Sequence, residues 1–385
     1  MPGVKHLALA AAALWLAASC STHRAPQPMP SAPTPLAPLT RVKQKFAPDS
    51  HVAIFTVEAR LEDGQYILTG DVDNPDAKRE AAAAVAELGH PVADHIRVLP
   101  SPDLGAKTWG IASLSVLNVR EKPGNFAEMG TQILMGNAFK IWKKETNWWL
   151  VQSQDHYLGW VENGFTASTA QDVKNWNDAA LLIVTALDGQ ILAQPKADAA
   201  PMSDVVLCDL VKRLEEQGDW LRVGLPDGRS GWLPKTACAD FAAWQKERRP
   251  TAENIERAAR SFMGRPYFWG CNSPRGMDCS GFTKLVFYLN GIALDRNASQ
   301  QARQGTEAPL DDHFSHLKKG DLLFFGHRAS EQAPELVNHV GIYLGDKLFI
   351  HASGMIHISS LDENSPLLDA RRRRGLLHAR RFLEP

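Results

Sequence analysis

From residue 250 onward the apolar spacing changes period once, from helical to strand-like, and that switch restricts what this part of the chain can become. Glu253 to Phe262 has helical spacing and ends in the Gly- and Pro-marked turn Gly264-Arg265-Pro266-Tyr267-Phe268-Trp269-Gly270. Phe282, Leu285, Val286 and Leu289 then recur at helical spacing until Asn290-Gly291 closes the run. Gly320 to Phe325, Val340 to Leu344 and Lys347 to His351 read as three strands separated by turns. Reactive residues sit at the seams of this pattern. Asp278-Cys279-Ser280-Gly281 places a Cys at the start of the second helix, where backbone N–H groups and the macrodipole favour the thiolate. His339 opens the second strand and His351 ends the third, and neighbouring antiparallel strands can bring two such positions side by side. A thiol, a base to take its proton and a third group to orient the base form the minimal kit of a cysteine nucleophile. Cys279, His339 and His351 are therefore the expected catalytic residues of an amidase or peptidase, a chemistry that calls for no cofactor.

The N-terminus sets the compartment. Lys5 and His6 make a short polar start, Leu7 to Leu16 is apolar, and Ala17-Ala18-Ser19 supplies small residues before Cys20. The apolar run is too short to span a bilayer. A Cys directly after such a cleavage site resembles the lipobox of bacterial lipoproteins, although Ala17 stands where Leu is more common. Residues 1–20 are read as a lipoprotein-type signal peptide with Cys20 as the lipid attachment site; plain secretion is the alternative. Residues 21–47, with Pro26, Pro28, Pro30, Pro33, Pro35 and Pro38, are expected to form an extended tether. The expectation is an exported bacterial lipoprotein on the periplasmic side of a membrane, the outer rather than the inner, with a monomeric catalytic body.

About 340 residues remain beyond these segments, enough for two to four domains. A formal net charge of −1 leaves no basic excess for a nucleic-acid partner. The one basic cluster, Arg371-Arg372-Arg373-Arg374, is read as a solvated turn. Cys208 and Cys238 are either a disulfide or two separate buried thiols. Cys271 and Cys279 lack the short paired spacings of a zinc site, so no metal is expected. His313, His316, His327, His357 and His378 are read as surface residues.

Between residues 100 and 245 the chain repeats itself. Trp149-Leu150-Val151 with Gly159-Trp160-Val161 reappears as Trp220-Leu221-Arg222-Val223 with Gly231-Trp232-Leu233. Each copy reads as a hairpin of short strands around a polar turn, with its Trp residues in the core. Residues 48–100 read as a small α+β unit, with strands at Val52–Thr56, Tyr66–Gly70 and Ile96–Val98 and a helix from Ala77 to Leu88. This unit is faintly similar to half of a BON-type module, and no chemistry is assigned to it.

The residues from 250 to 385 resemble the NlpC-type cysteine peptidases, a papain-like fold that cleaves bacterial cell-wall peptides. The resemblance rests on Pro266-Tyr267-Phe268-Trp269-Gly270, Asp278-Cys279-Ser280-Gly281, Gly320-Asp321-Leu322 and Asn338-His339-Val340-Gly341-Ile342-Tyr343, with His351 in the third catalytic position. Cys271 departs from the family, where Gly is common. The two repeats, at 101–170 and 171–245, resemble bacterial SH3-like barrels, and Leu117-Asn118-Val119-Arg120 with Pro123 strengthens the first. The fold class is thus multidomain α+β: a papain-like catalytic domain preceded by two SH3-like β-barrels and the small N-terminal unit.

Barrels in front of such a peptidase resemble a narrower group, the γ-D-glutamyl-L-diamino-acid endopeptidases. These cut between γ-D-glutamate and meso-diaminopimelate or lysine in peptides with a free N-terminal L-alanine. The resemblance implies that Glu128, Tyr157 and Asp278 bind the alanine amine, which is costly to bury unpaired. It also implies that Ser280 and Ser299 hold the D-glutamate carboxylate, that Tyr267 and Trp269 wall the pocket, and that Tyr267 helps to stabilise the oxyanion. Three alternatives stay open: an endopeptidase on intact peptidoglycan, a non-catalytic cell-wall-binding lipoprotein, and acyl transfer or lipid hydrolysis by the same chemistry.

Overall fold

A computed structural model of the protein describes residues 36–383. The signal segment, Cys20 and most of the expected tether lie outside these residues. The last part of that tether is helical instead. Leu39 and Val42, three apart, are buried on one side of a helix at Ala37–Phe46, which packs on a second helix at Pro75–Ala86. Pro38 falls in its first turn, where a missing N–H is no loss. Apolar burial outweighs the Pro-rich composition here.

The second helix crosses between two parallel strands, Gln65–Val72 and Val92–Val98, and Glu58–Glu62 pairs antiparallel on the outer edge. Val52–Thr56 is not the strand that its alternation suggests. Its only bridge in this sheet joins Phe55 to Val72; Val52 and Ala53 N–H turn back to the Asp49 carbonyl, and Ile54 N–H donates to the Asp73 carboxylate at 2.9 Å.

The repeat in the sequence is a repeat in topology. The first seven-stranded sheet runs, in spatial order, Phe165–Ser168, Trp109–Ala112, Ala138–Glu145, Trp148–Gln152, Leu158–Val161, Val116–Arg120 and Met129–Leu134. The second runs Cys238–Asp240, Leu181–Val184, Leu210–Gln217, Trp220–Gly224, Ser230–Pro234, Asp188–Leu192 and Pro201–Val206, which is the same order strand for strand. Register shifts recur in corresponding strand pairs, at Ile141/Lys143 and at Arg213/Glu215. The core positions differ from expectation. Val151, Val161, Val223 and Leu233 point inward and are buried; Trp149 is half-buried against the same core as Val151, and Trp160, Trp220 and Trp232 are half-buried on the other face. Trp160 instead packs beneath the N-terminal unit, against a cluster holding Ile54 and Leu99. Cys208 and Cys238 are separate thiols.

The second barrel braces the first. The buried Asp209 carboxyl accepts from Met135 N–H of the first barrel at 3.0 Å and from Val206 N–H at 2.8 Å. Asp204 accepts from Ser115 Oγ of the first barrel at 2.8 Å and also pairs with Arg275 of the C-terminal part.

The C-terminal part holds helix α1 (Cys279–Leu289), strands β1 (Leu322–His327), β2 (Leu336–Gly345), β3 (Leu348–Ser353) and β4 (Met355–Ser360), the short helix α2 (Ala370–Arg374) and strand β5 (Leu376–Arg381). Thr306–Glu307, β5, β1, β2, β3 and β4 lie side by side in one antiparallel sheet. Phe282, Val286 and Phe287 of α1 are fully buried and share a core with Leu322, Phe324, Ile342 and Ile350 of the sheet. Each fully buried apolar side chain of this kind contributes roughly 1.5–3 kcal/mol. That packing fixes the start of α1 over the beginning of β2.

Candidate active site

Asp278 is the N-cap of α1, and its carboxylate accepts from Gly281 N–H at 2.7 Å. The cap sets Cys279 at the first helical position, 6% exposed. Val340 N–H, one residue past His339, hydrogen-bonds to the thiol, so nucleophile and base meet where α1 crosses β2. The expected thiolate preference is not realised. Burial pushes the Cys279 thiol up to about 12, the nearby Asp278 carboxylate adds to this, and backbone N–H groups offset it only in part. Desolvation outweighs the helix terminus, and the resting nucleophile is a neutral thiol.

His339 and His351 are both buried and meet edge to face, ring centroids 5.0 Å apart, with Nε2 of His339 2.7 Å from Nδ1 of His351. Gly341 makes room for this contact: a Cβ there would sit 3.1 Å from the Cβ of His351. The hydrogen-bond directions assign the tautomers. His357 Nδ1 lies 2.9 Å from the Met355 carbonyl, which can only accept, so neutral His357 carries its proton on Nδ1. Its Nε2, 3.2 Å from His351 Nε2, can then only accept, and a His351 Nε2–H shared between it and the Ser359 hydroxyl, 3.1 Å away, satisfies both. His351 Nδ1 is left as an acceptor for His339 Nε2–H. The outcome is a bare Nδ1 on His339, the atom a general base requires. Burial and neighbouring positive charge, with Arg372 foremost for His339, lower both rings; His351 falls to about 3 and His339 well below its ordinary range. Both are neutral at pH 7. His357, expected on the surface, is thus half-buried and part of the site.

On the other side of Cys279 lies a buried cluster that the sequence reading missed. Arg296, 1% exposed, donates to both Asp278 carboxylate oxygens at 3.1 and 2.5 Å, to Ser280 Oγ at 3.0 Å, and to Thr131 Oγ1 of the first barrel at 3.1 Å. Burial works against the guanidinium charge, and Asp278 more than offsets it, holding the group above its ordinary range. Tyr157 is buried beside this cluster, its phenol pushed up to about 12 by burial and partly relieved by Arg296. Gly270, at φ +74°, turns the chain against the Met129 carbonyl of the first barrel, where any Cβ would collide.

The remaining expected residues divide. Asp278, Ser280 and Tyr157 converge, and Tyr267 is half-buried, its phenol raised by burial and by the nearby Cys279. Trp269 is 61% exposed. Glu128 is exposed, with no side-chain hydrogen bond among the described residues; the acid beside Tyr157 is Glu121, whose side chain and the Tyr157 ring both lie over Gly130. Ser299 is half-buried and contributes its carbonyl to Arg303 at 3.1 Å. A cavity of about 430 Å³ between the barrels and α1, lined by Gln132, Cys208, Lys284 and Tyr288 among others, contains none of these groups. No group of His, Cys, Asp and Glu among the described residues could hold a metal ion.

Comparisons with known proteins agree with this architecture. Residues 264–369 match the NlpC/P60 family and residues 115–167 match the bacterial SH3 domain. Over 263 residues the chain is 28% identical to a gamma-D-glutamyl-L-lysine dipeptidyl-peptidase of Bacillus cereus, covering 66% of this chain and 76% of that one. It is 29% identical over 265 residues to dipeptidyl-peptidase 6 of Lysinibacillus sphaericus, covering 65% of this chain and 90% of that one. A crystal structure of an NlpC/P60 family protein from Bacillus cereus has the same fold, with a TM-score of 0.61 at 24% identity over 72% of this chain and 100% of that one. The chain is thus a cysteine peptidase with an NlpC/P60 domain at its C-terminal end and a bacterial SH3 domain in front of it.

Proposed function

We propose that the enzyme hydrolyses the bond between γ-D-glutamate and a diamino acid, meso-diaminopimelate or lysine, in peptidoglycan-derived peptides with a free N-terminal L-alanine. The observation that carries this reading is the joint of first barrel and catalytic domain at the nucleophile, where Tyr157 and Thr131 surround the Asp278–Arg296–Ser280 cluster next to Cys279. The reading takes the barrel set against that flank as the wall that leaves room for little beyond an N-terminal amine. The names of the Bacillus and Lysinibacillus relatives point the same way.

In this mechanism Nδ1 of His339 takes the thiol proton as Sγ attacks the γ-carbonyl carbon. The proton then passes to the departing amine, and water hydrolyses the thioester with His339 again as base. His351 fixes the ring and its tautomer. The Cys279 N–H and the Tyr267 hydroxyl face the oxyanion, each such donor being worth roughly 3 kcal/mol.

The test is a comparison of L-Ala-γ-D-Glu-diaminopimelate with the same peptide N-acetylated. Acetylation will lower kcat/KM by about 10- to 100-fold, the value of one or two charge-assisted hydrogen bonds; equal rates would defeat amine recognition and favour action on intact peptidoglycan. The depressed His339 sets the sign of the pH dependence. A base with a lowered pKa stays neutral as pH falls, so the acid limb of kcat/KM will lie below pH 6.5, the ordinary imidazole value; a limb at or above it counts against His339 as this base. His357→Leu unlocks the tautomer and will reduce kcat roughly tenfold, part of the 10²–10⁴ that general-base catalysis supplies.

Export and anchoring through Cys20 belong to the same proposal, on the strength of the segment before that residue. A Cys20→Ser chain will leave the membrane fraction; retention there would overturn the anchor.

A further inference from the structure

The four consecutive arginines are not a solvated turn. They form α2, which lies over the end of β1 next to the catalytic base. A cavity of about 240 Å³ opens there, lined by Phe325, His327, Asn338, Arg371, Arg372 and Arg374. Phe325 and His339 are register partners on β1 and β2, their rings 5.8 Å apart, and the Arg372 guanidinium sits 5.9 Å from the Phe325 ring centre. Arg373 pairs with Glu363 at 3.0 Å. Among the described residues, no carboxylate forms an ion pair with Arg371, Arg372 or Arg374. Three guanidiniums thus flank one small cavity with no ion-pair partner among the described residues, and the Asp369 carboxylate at the start of α2 acts on Arg372 only from beyond ion-pair distance. The cost of holding them together is met when an anion binds.

The side of the site settles what that anion belongs to. The Asp278–Arg296 cluster and the first barrel occupy one flank of Cys279, and the arginines occupy the flank of His339. The group that returns a proton to the departing nitrogen stands next to the leaving part of the substrate. We propose that Arg371, Arg372 and Arg374 bind a carboxylate on the leaving-group side of the scissile bond. This proposal rests on the γ-D-glutamyl reading above. Two carboxylates qualify, the α-carboxylate of a terminal diamino acid and the side-chain carboxylate of diaminopimelate. A lysine side chain, ending in an ammonium alone, is repelled by the same cluster.

Three peptides separate these sources: L-Ala-γ-D-Glu-L-Lys with a free α-carboxylate, the same peptide as its α-carboxamide, and L-Ala-γ-D-Glu-diaminopimelate with the α-carboxyl amidated and the side-chain carboxylate free. The wild-type enzyme will cleave at least one carboxylate-bearing peptide about 10- to 100-fold better in kcat/KM than the lysine carboxamide. Arg371→Gln/Arg374→Gln, at two exposed positions, will erase most of that preference and leave the carboxamide rate unchanged on the alkaline side of the acid limb; Arg372→Gln will also erase it and, by removing a positive charge beside His339, will move the acid limb of carboxamide cleavage to higher pH, and Arg372→Lys will restore part of both. Equal wild-type rates on all three peptides, or a preference untouched by both glutamine variants, would overturn the proposal. Hydrolysis of none of the three, with other amides cleaved, would overturn the γ-D-glutamyl reading and the inference with it.

Discussion

Cys279→Ala will abolish hydrolysis of L-Ala-γ-D-Glu-diaminopimelate, with kcat lower by roughly 10⁴- to 10⁶-fold, the scale on which nucleophile deletions act in related hydrolytic machinery. The substitution removes one sulfur from a buried site and creates no new polar group, so the fold persists. Asp278 still caps α1 through its bond to Gly281 N–H, and the Arg296 contacts to Asp278 and Ser280 do not involve the thiol. Peptide binding by calorimetry will therefore survive while turnover disappears. Hydrolysis at an unaltered rate would exclude Cys279 as nucleophile.

Arg296→Met will produce the largest loss of stability of any single substitution near the site. The guanidinium satisfies Asp278, Ser280 and Thr131 at once, and removing it leaves a buried carboxylate whose remaining partners are the Gly270 and Gly281 amides and one hydroxyl. Breaking a buried pair from one side costs about 3–5 kcal/mol. For a chain of this size that corresponds to a fall in Tm of about 4–6 °C, read by calorimetry. Asp278→Asn together with Arg296→Met will recover part of the loss, because the stranded charge is then gone. A Tm within about 1 °C of the parent for the single variant would mean that the pair contributes nothing to the joint with the barrel.

The nucleophile, its base and the orienting His were legible because a local motif carries the signal for each. Asp278 is a favoured N-cap residue immediately before an apolar helical run, and the two His residues flank apolar strand runs, although the strands extend past them on both sides, over Leu336–Gly345 and Leu348–Ser353. The duplicated barrels were legible for a similar reason, as a repeat with regular spacing. Arg296 was not. Its partners are 18 residues away at Asp278 and 165 away at Thr131, and a single Arg after Ile292-Ala293-Leu294 has no period of its own. His357 carried a signal that went unused: Gly354 lies midway between it and His351, and a hairpin centred there puts the two rings opposite each other, as the register of β3 and β4 does. The thiol's state escaped because a helix terminus is visible in sequence and the depth of burial is not. The helix at Ala37–Phe46 was hidden by prolines whose effect ends at its first turn.

The second barrel repeats the first strand for strand and supplies none of the residues proposed for catalysis or substrate binding. Its contribution is mechanical. With Asp209 gripping the Met135 amide and Asp204 gripping both Ser115 and Arg275, the first barrel is clamped from behind as well as from the catalytic side. On the proposed reading of the substrate, a wall held on two faces acts as a gauge of fixed width, set when the protein folds, and a longer or branched N-terminus is what it would turn away before any chemistry begins.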